Sequence, residues 1–410
     1  MAIRAYALGI CVASFWNTKA KLALQGRKDI FTTIRAALVN NTRPVVWMHS
    51  ASLGEFEQGR FLLENIRKQY PTYCLVVTFF SPSGYEVMKN YKGADHIFYL
   101  PFPTKRQAKR FISIVKPSLV LWIKYDYWYH YLVELKKRKI PVLLISAIFL
   151  KHHPFFRWYG PLYRKMLQCF SWMFVQTEGS AKRLAGIGFE QNVSVNGDTR
   201  FDRVIDIAEN FVPVPRIEGF IGNDKVIVAG STWNEDEEEL DHYANTNKHI
   251  KFILAPHEIE EEHLKEIEKL FHHSVRYSQL DNMDITGKNT LIIDNIGMLS
   301  RLYNYAHIAY VGGGFGSDGI HNILEAAVFG IPVVFGPVFN KYTEAIELLE
   351  EGGAITIDNA LELEKTFNSL LSDEKYYREC CNAAKDYVFA HKGATGNIMS
   401  YIQANRLLTN

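Results

Sequence analysis

Two α/β domains, each a doubly wound parallel sheet, are the fold that three observations in this sequence predict. Short β-rich runs alternate with helical stretches in two separate series. The alternation weakens over 198–224, where Pro213, Pro215 and Gly222 punctuate the chain. Late in the second series, 306–340 places a strand, a glycine-rich turn, a helix and another strand in one continuous unit. A length of 410 residues also exceeds one ordinary core.

Taken in order, the chain opens with an apolar run at 5–16 (AYALGICVASFW), followed by Lys19, Lys21, Arg27 and Lys28. About twelve residues is short of the ~20 needed to span a bilayer. The run therefore reads as an amphipathic anchor on a membrane face or as a helix packed on the protein. Strands are expected at 45–50, 74–80, 96–100, 118–124, 141–148, 172–177 and 193–198, with helices at 57–69 and 127–139 among those between them. The second series predicts strands at 225–230, 249–255, 290–294, 307–311 and 332–335. This divides the chain into a membrane-associating segment (1–30), a first domain (31–205) and a second (206–410) whose last helix crosses back to the first. Ligands of such sheets bind beyond the carboxyl ends of the strands, so a cleft between the two domains is the expected site.

Composition fits a folded chain, with 48% hydrophobic, 22% charged and 13% aromatic residues. The net charge of +2 hides an asymmetry. Residues 1–200 carry 29 Lys+Arg against 11 Asp+Glu, and 201–410 carry 17 against 33. The first half is suited to an anionic partner, whether nucleic acid, phosphorylated lipid or membrane surface, unless the two halves simply attract each other. Five cysteines show no metal-ligand spacing, and the adjacent Cys380 and Cys381 are poor disulfide partners, which fits a reducing compartment. Nucleotide-triphosphate loops, paired metal-binding histidines and hydrolase elbows are absent from the sequence.

The chemistry-bearing residues fall where predicted strands end. After the first strand, the loop 49–55 (HSASLGE) leads to Glu55, which can take a proton from a bound hydroxyl or close a capping box with Ser52. After the fourth come Lys124 and Asp126; the latter either caps a helix or joins Glu55 as a second carboxylate. Gly230, Ser231 and Thr232 can cradle a phosphate with backbone amides or cap the acidic helix that follows. His257 can bond a phosphate or a base, or serve a structural role. Glycines 312–314 and 316 allow a tight backbone path, and Gly319 to Asn322 form a predicted helix start able to face a phosphate, with His321, Asn322 and Glu325 along one side.

These motifs together, HSASLGE, Asp126-Tyr127-Trp128, GDTRFD (197–202), GST (230–232), His257, VGGGFGSDGIHNILEAA (311–327) and FGP (335–337), resemble the 3-deoxy-D-manno-octulosonic acid (Kdo) transferases of lipopolysaccharide assembly. That resemblance covers nearly the whole chain. It implies the GT-B architecture, two Rossmann-like domains facing each other across a cleft. It further implies inverting transfer of Kdo from CMP-Kdo to a tetraacyl lipid A precursor at the cytoplasmic face of the bacterial inner membrane, without a metal or other cofactor and without nucleic acid as a partner. The family's base falls on Glu55, with Asp126 beside it, and its CMP-Kdo site on Gly230, Ser231, Thr232, His257, Gly313, Gly319, His321, Asn322 and Glu325. Lys124, Arg157 and Trp158 are the candidates for contact with the acceptor or membrane, the last two in an aromatic and basic stretch, 152–159, that otherwise serves interdomain packing. Two positions depart from the family: Lys124 stands where it has an acid, and Pro256-His257-Glu258 replaces Arg-His-Pro. The rival readings are a GT-B nucleotide-sugar epimerase and a noncatalytic nucleotide-sugar-binding protein.

Overall fold

The computed structural model describes residues 9–281 and 283–409. The chain divides into two compact units, one running to Asp202 and taking in the C-terminal helix Ala394–Ala404, the other Arg203–Lys392. Among the described residues each unit is built on a seven-stranded parallel sheet.

In the first unit the strands are β1 (Val45–Ser50), β2 (Cys74–Phe79), β3 (His96–Tyr99), β4 (Pro117–Ile123), β5 (Val142–Ala147), β6 (Trp172–Val175) and β7 (Val193–Val195), in the order β3-β2-β1-β4-β5-β6-β7. β1, β2 and β5 are buried along their whole length. This is why they read as unbroken apolar runs: a parallel strand covered by helices on both faces has no polar side. Alternate residues still part company. Val45 and Trp47 join a core with Phe111, Trp122 and Tyr131, while Val46 and Met48 join Phe56, Leu62 and Ile66 on the opposite face. Ile398, Met399 and Ile402 of the last helix complete that second core. The Asp202 carboxylate accepts from Gly393 N–H and Thr395 N–H at 2.5 and 2.6 Å, satisfying amides at that helix's start.

The second unit holds β8 (Lys225–Thr232), β9 (Ile250–Pro256), β10 (Ser274–Arg276), β11 (Thr290–Ile292), β12 (Ile308–Val311), β13 (Val333–Phe335) and β14 (Ala354–Thr356), ordered β10-β11-β9-β8-β12-β13-β14. The two outermost strands, β10 and β14, are additions to the sequence reading. In both sheets the order reverses direction beside the first strand, between β1 and β4 and between β8 and β12. Loops diverge there, and a crevice opens at the carboxyl ends.

Two helical expectations change. The first helix starts at Leu53 rather than 57. The helix expected after Asn322 is only Leu324–Ala327, and 312–323 is irregular chain. One turn sums little dipole, so an anion at 319–322 would be held by individual amides and side chains and not by a helix dipole. Gly313 and Gly319 sit at φ of 89° and 87°, which breaks helical geometry before it can begin.

Of the apolar N-terminal run, 5–8 lie outside the described residues; in the rest, Phe15 and Trp16 are exposed. No helix among the described residues is long and apolar enough to cross a membrane.

The glycine-rich loop is held by backbone contact. A Cβ on Gly314 would lie 2.5 Å from the Gly336 nitrogen, and one on Gly316 would meet only Gly313 O at 3.6 Å. Gly314→Ala is therefore expected to destabilise the protein by about 1–3 kcal/mol through overpacking. Gly316→Ala should change stability little. Urea unfolding of the two variants checks this, and equal midpoints would contradict it.

Candidate active site

At the carboxyl edge of the first sheet, Glu55 lies in the first turn of the helix Leu53–Gln69, just past β1. The capping box does not form: Ser52 makes no side-chain cap, and Glu55 Oε2 accepts from Ala51 N–H at 2.5 Å. Burial and then the charge of Asp126 push the Glu55 carboxyl up to about 7, against the opposing pull of the Ala51 amide, Lys124 and the Tyr125 amide. A carboxyl so placed is divided between acid and base near neutrality.

Asp126 follows β4 and caps no helix. Its Oδ2 accepts from Trp128 Nε1 at 3.1 Å and lies 3.5 Å from His49 Nε2. His49 is fully buried, with Nδ1 2.9 Å from Thr78 Oγ1, a hydroxyl that also accepts from Trp47 Nε1 at 2.8 Å. Lys124 takes a left-handed conformation (φ 51°) at the end of β4. Its charge lowers the carboxyls of both Glu55 and Asp198.

Asp198 is buried and accepts from Gln58 Nε2 (3.2 Å), Gln176 Nε2 (3.0 Å) and Arg200, through its backbone N–H and its Nε (both 2.9 Å). Burial raises its carboxyl, but Arg200, Lys124 and the Arg200 amide outweigh that and hold it below the ordinary carboxylate range. Arg157 and Trp158 follow the turn Pro154–Phe156, and Trp158 is 91% exposed. Neighbouring Phe155 is buried against Tyr127, and Asp126, Trp128, Phe155 and Tyr163 line a cavity of about 400 Å³.

The second unit gathers its residues at the ends of β8, β9 and β12. Gly230 is buried within β8, where a Cβ would strike the Tyr303 hydroxyl. The strand's register shifts between Gly230 and Thr232, and Ser231 takes φ 56°. The Thr232 hydroxyl is buried and donates to Glu237 Oε1 at 2.8 Å, so it braces the following helix. Asp236 is fully buried and accepts from Trp233 N–H (2.9 Å), Gly313 N–H (2.8 Å) and the Tyr310 hydroxyl (2.7 Å), tying the β8 turn to β12 and the glycine loop. His257 and His321 stack with centroids 4.4 Å apart, and Trp233 lies over His257 at 4.6 Å. Asn322 Nδ2 donates to Glu325 Oε1 at 3.1 Å, and the charge of Glu325 reaches Arg203.

Sequence reasoning named Glu55, Lys124 and Asp126, which the fold brings together, and His257, Gly313 and His321, which it also brings together. His49 and Asp198 entered only as members of the motifs HSASLGE and GDTRFD, without a role; Trp233 and Asp236 were not named, although Asp236 carries a local signal as an acid in the first turn after a strand.

Residues 25–203 match the family described as 3-deoxy-D-manno-octulosonic-acid transferase (kdotransferase). Over that span the chain is similar to the Kdo transferases. Its similarity to the Kdo transferase of Aquifex aeolicus is 26% identity over 344 residues, covering 82% of this chain and 89% of that one. A bifunctional glycosyltransferase/methyltransferase of Fusobacterium nucleatum is 26% identical over 352 residues, 80% of this chain; the chain spans 53% of that protein's length. Among solved structures, UDP-GlcNAc 2-epimerase of Neisseria meningitidis aligns with a TM-score of 0.62 at 18% identity, covering 88% of this chain and all of that one. That likeness is one of fold, and the fold is GT-B.

The depressed Asp198 carboxyl gives a pH test. Its stabilising effect is present above the unfolded value of about 4 and is lost as pH falls through the lower folded value. Asp198→Asn is expected to cost about 3–5 kcal/mol at pH 7, by removing the buried carboxylate to which Gln58, Gln176 and Arg200 donate. The variant should also lose less stability than the wild type between pH 6 and pH 3, as measured by denaturant unfolding.

Proposed function

We propose that this chain is an inverting glycosyltransferase that moves Kdo from CMP-Kdo to a hydroxyl of an acylated, phosphorylated disaccharide, a tetraacyl lipid A precursor, in lipopolysaccharide assembly. Similarity to the Kdo transferases supports the donor and acceptor classes. The observation that carries the chemistry is the Glu55 carboxyl, raised to about 7 at the point where the first sheet reverses order. In the reaction, Glu55 takes the proton of the acceptor hydroxyl and the freed oxygen pair attacks the anomeric carbon of Kdo. The bond from that carbon to the CMP phosphate breaks, and CMP leaves with its electron pair, inverting the centre. The second unit holds CMP-Kdo through the residues around His257 and His321. Lys124 and Asp126 act oppositely on the base: Asp126 raises its affinity for a proton, and Lys124 keeps part of it ionised.

No metal is needed in this scheme, since the leaving group is a single phosphate that hydrogen-bond donors can stabilise. The reaction takes place at the cytoplasmic face of the inner membrane, where exposed Phe15, Trp16 and Trp158 beside basic residues suit an acylated acceptor.

The test is incubation of the purified full chain with CMP-Kdo and a tetraacylated disaccharide, followed by mass spectrometry. A Kdo-sized gain with release of CMP is expected, and its absence would sink the reading. The rate should rise with pH through a midpoint near 7, because only the ionised carboxylate accepts the proton. Glu55→Gln is expected to lower kcat about 10²–10⁴-fold. The same change should leave the protein folded and relatively more stable at pH 8 than at pH 5. A carboxyl whose folded pKa is raised destabilises the native state once it ionises, and the amide removes that cost.

A further inference from the structure

We propose that Trp233 is a positioning residue that fixes the tautomer of His321, leaving Nδ1–H as a hydrogen-bond donor aimed at an oxyanion of the bound nucleotide. The ligand half of this inference rests on the donor-site reading above; the tautomer half does not.

The argument begins with an asymmetry of chemistry. Trp233 Nε1 lies 3.1 Å from His321 Nε2. An indole N–H can donate and has no lone pair to accept with. His321 Nε2 must therefore present its lone pair, and a neutral imidazole with an accepting Nε2 carries its proton on Nδ1. Among the described residues, Nδ1 has no hydrogen-bond partner.

Both rings are held so that this choice cannot relax. The Trp233 backbone N–H is bound by the buried Asp236, and the Trp233 ring lies over His257 with planes 28° apart. On the other side, His321 N–H donates to Gly312 O at 3.1 Å, and His257 stacks on the imidazole. Doubly protonated His321 would turn an N–H toward the indole N–H, and two donors would face each other in a half-buried site. Burial, followed by the neighbouring His257, independently draws the His321 pKa down to about 4. The neutral form with one defined donor thus persists across the working pH range. It offers a hydrogen bond to an oxyanion without competing for its proton, and it does so in only one direction.

Histidine nitrogen signals read the tautomer directly. In ¹⁵N-labelled full-length protein, His321 Nδ1 should appear as the protonated nitrogen and Nε2 as the unprotonated one. Trp233→Phe keeps an aromatic ring in the stack and removes only the N–H. It should shift His321 toward the other tautomer and weaken CMP binding, measured by calorimetry, about five- to tenfold. Cytidine, which lacks the phosphate, should bind both proteins equally. His321→Asn, whose amide nitrogen lies near the Nδ1 position, should retain CMP affinity within about threefold, and His321→Gln should lose about tenfold. Wild-type His321 protonated on Nε2, or an unchanged tautomer in Trp233→Phe, overturns the proposal. If the tautomer result holds and CMP fails to bind the wild type, the ligand half falls together with the donor-site reading. Equal losses for CMP and cytidine in Trp233→Phe would likewise overturn the phosphate assignment.

Discussion

A buried carboxylate surrounded by donors holds the reactive edge of each unit in place. In the second unit it is Asp236, which takes hydrogen bonds from nearby Trp233, from Tyr310 and from Gly313, the last 77 positions away. In the first it is Asp198, bound by Gln58, Gln176 and Arg200. A buried carboxylate lacking donors would cost several kcal/mol, so these donors cannot drift without a large loss of stability. The two nodes differ in one respect. Asp198 has a cation beside it and is held below the usual range, whereas Asp236 has only neutral donors, and burial raises it despite them. Both act as scaffolding because their oxygens are already occupied.

Glu55 is built on the opposite plan. It is half-buried next to a second carboxylate and has backbone amides and the charge of Lys124 as compensation. The balance leaves it able to change protonation near neutrality, which a fully satisfied carboxylate cannot do. Satisfaction of hydrogen bonds thus separates the acids that carry the fold from the one suited to proton transfer. Asp126 lies between the two types: Trp128 Nε1 donates to it, and its charge acts on Glu55.

How much of this could be read from the chain follows from the range of the interactions. Strands such as VVWMHS and CLVVTF were legible because burial on two faces writes itself into consecutive residues. β10 (SVR) and β14 (AIT) are three-residue edge strands, too short to carry a pattern. The glycine loop was located correctly, but its helix was overestimated, since IHNILEAA has helical propensity that Gly319 and the Asn322 side chain override locally. Ser52 and Glu55 have capping-box spacing, yet Glu55 turned to the amide of Ala51. Asp198 depends on Gln58 and Gln176, and Trp233 on His321 88 positions away; no local pattern encodes such pairs.

Backbone conformation shows which demand prevailed at these edges. Lys124 and Ser231 both adopt left-handed angles, one ending β4 and the other inside the irregular end of β8. Each turns the chain so that the following residues, Asp126 in one unit and Trp233 in the other, lie over the ends of the strands. Glycine would make either turn without strain, and a side chain there costs about 1–2 kcal/mol. At Lys124 the side chain also acts electrostatically, its ammonium lowering the carboxyls of both Glu55 and Asp198. An acid at the same place would push both carboxyls upward, weakening the scaffold at Asp198 and moving the base away from neutrality.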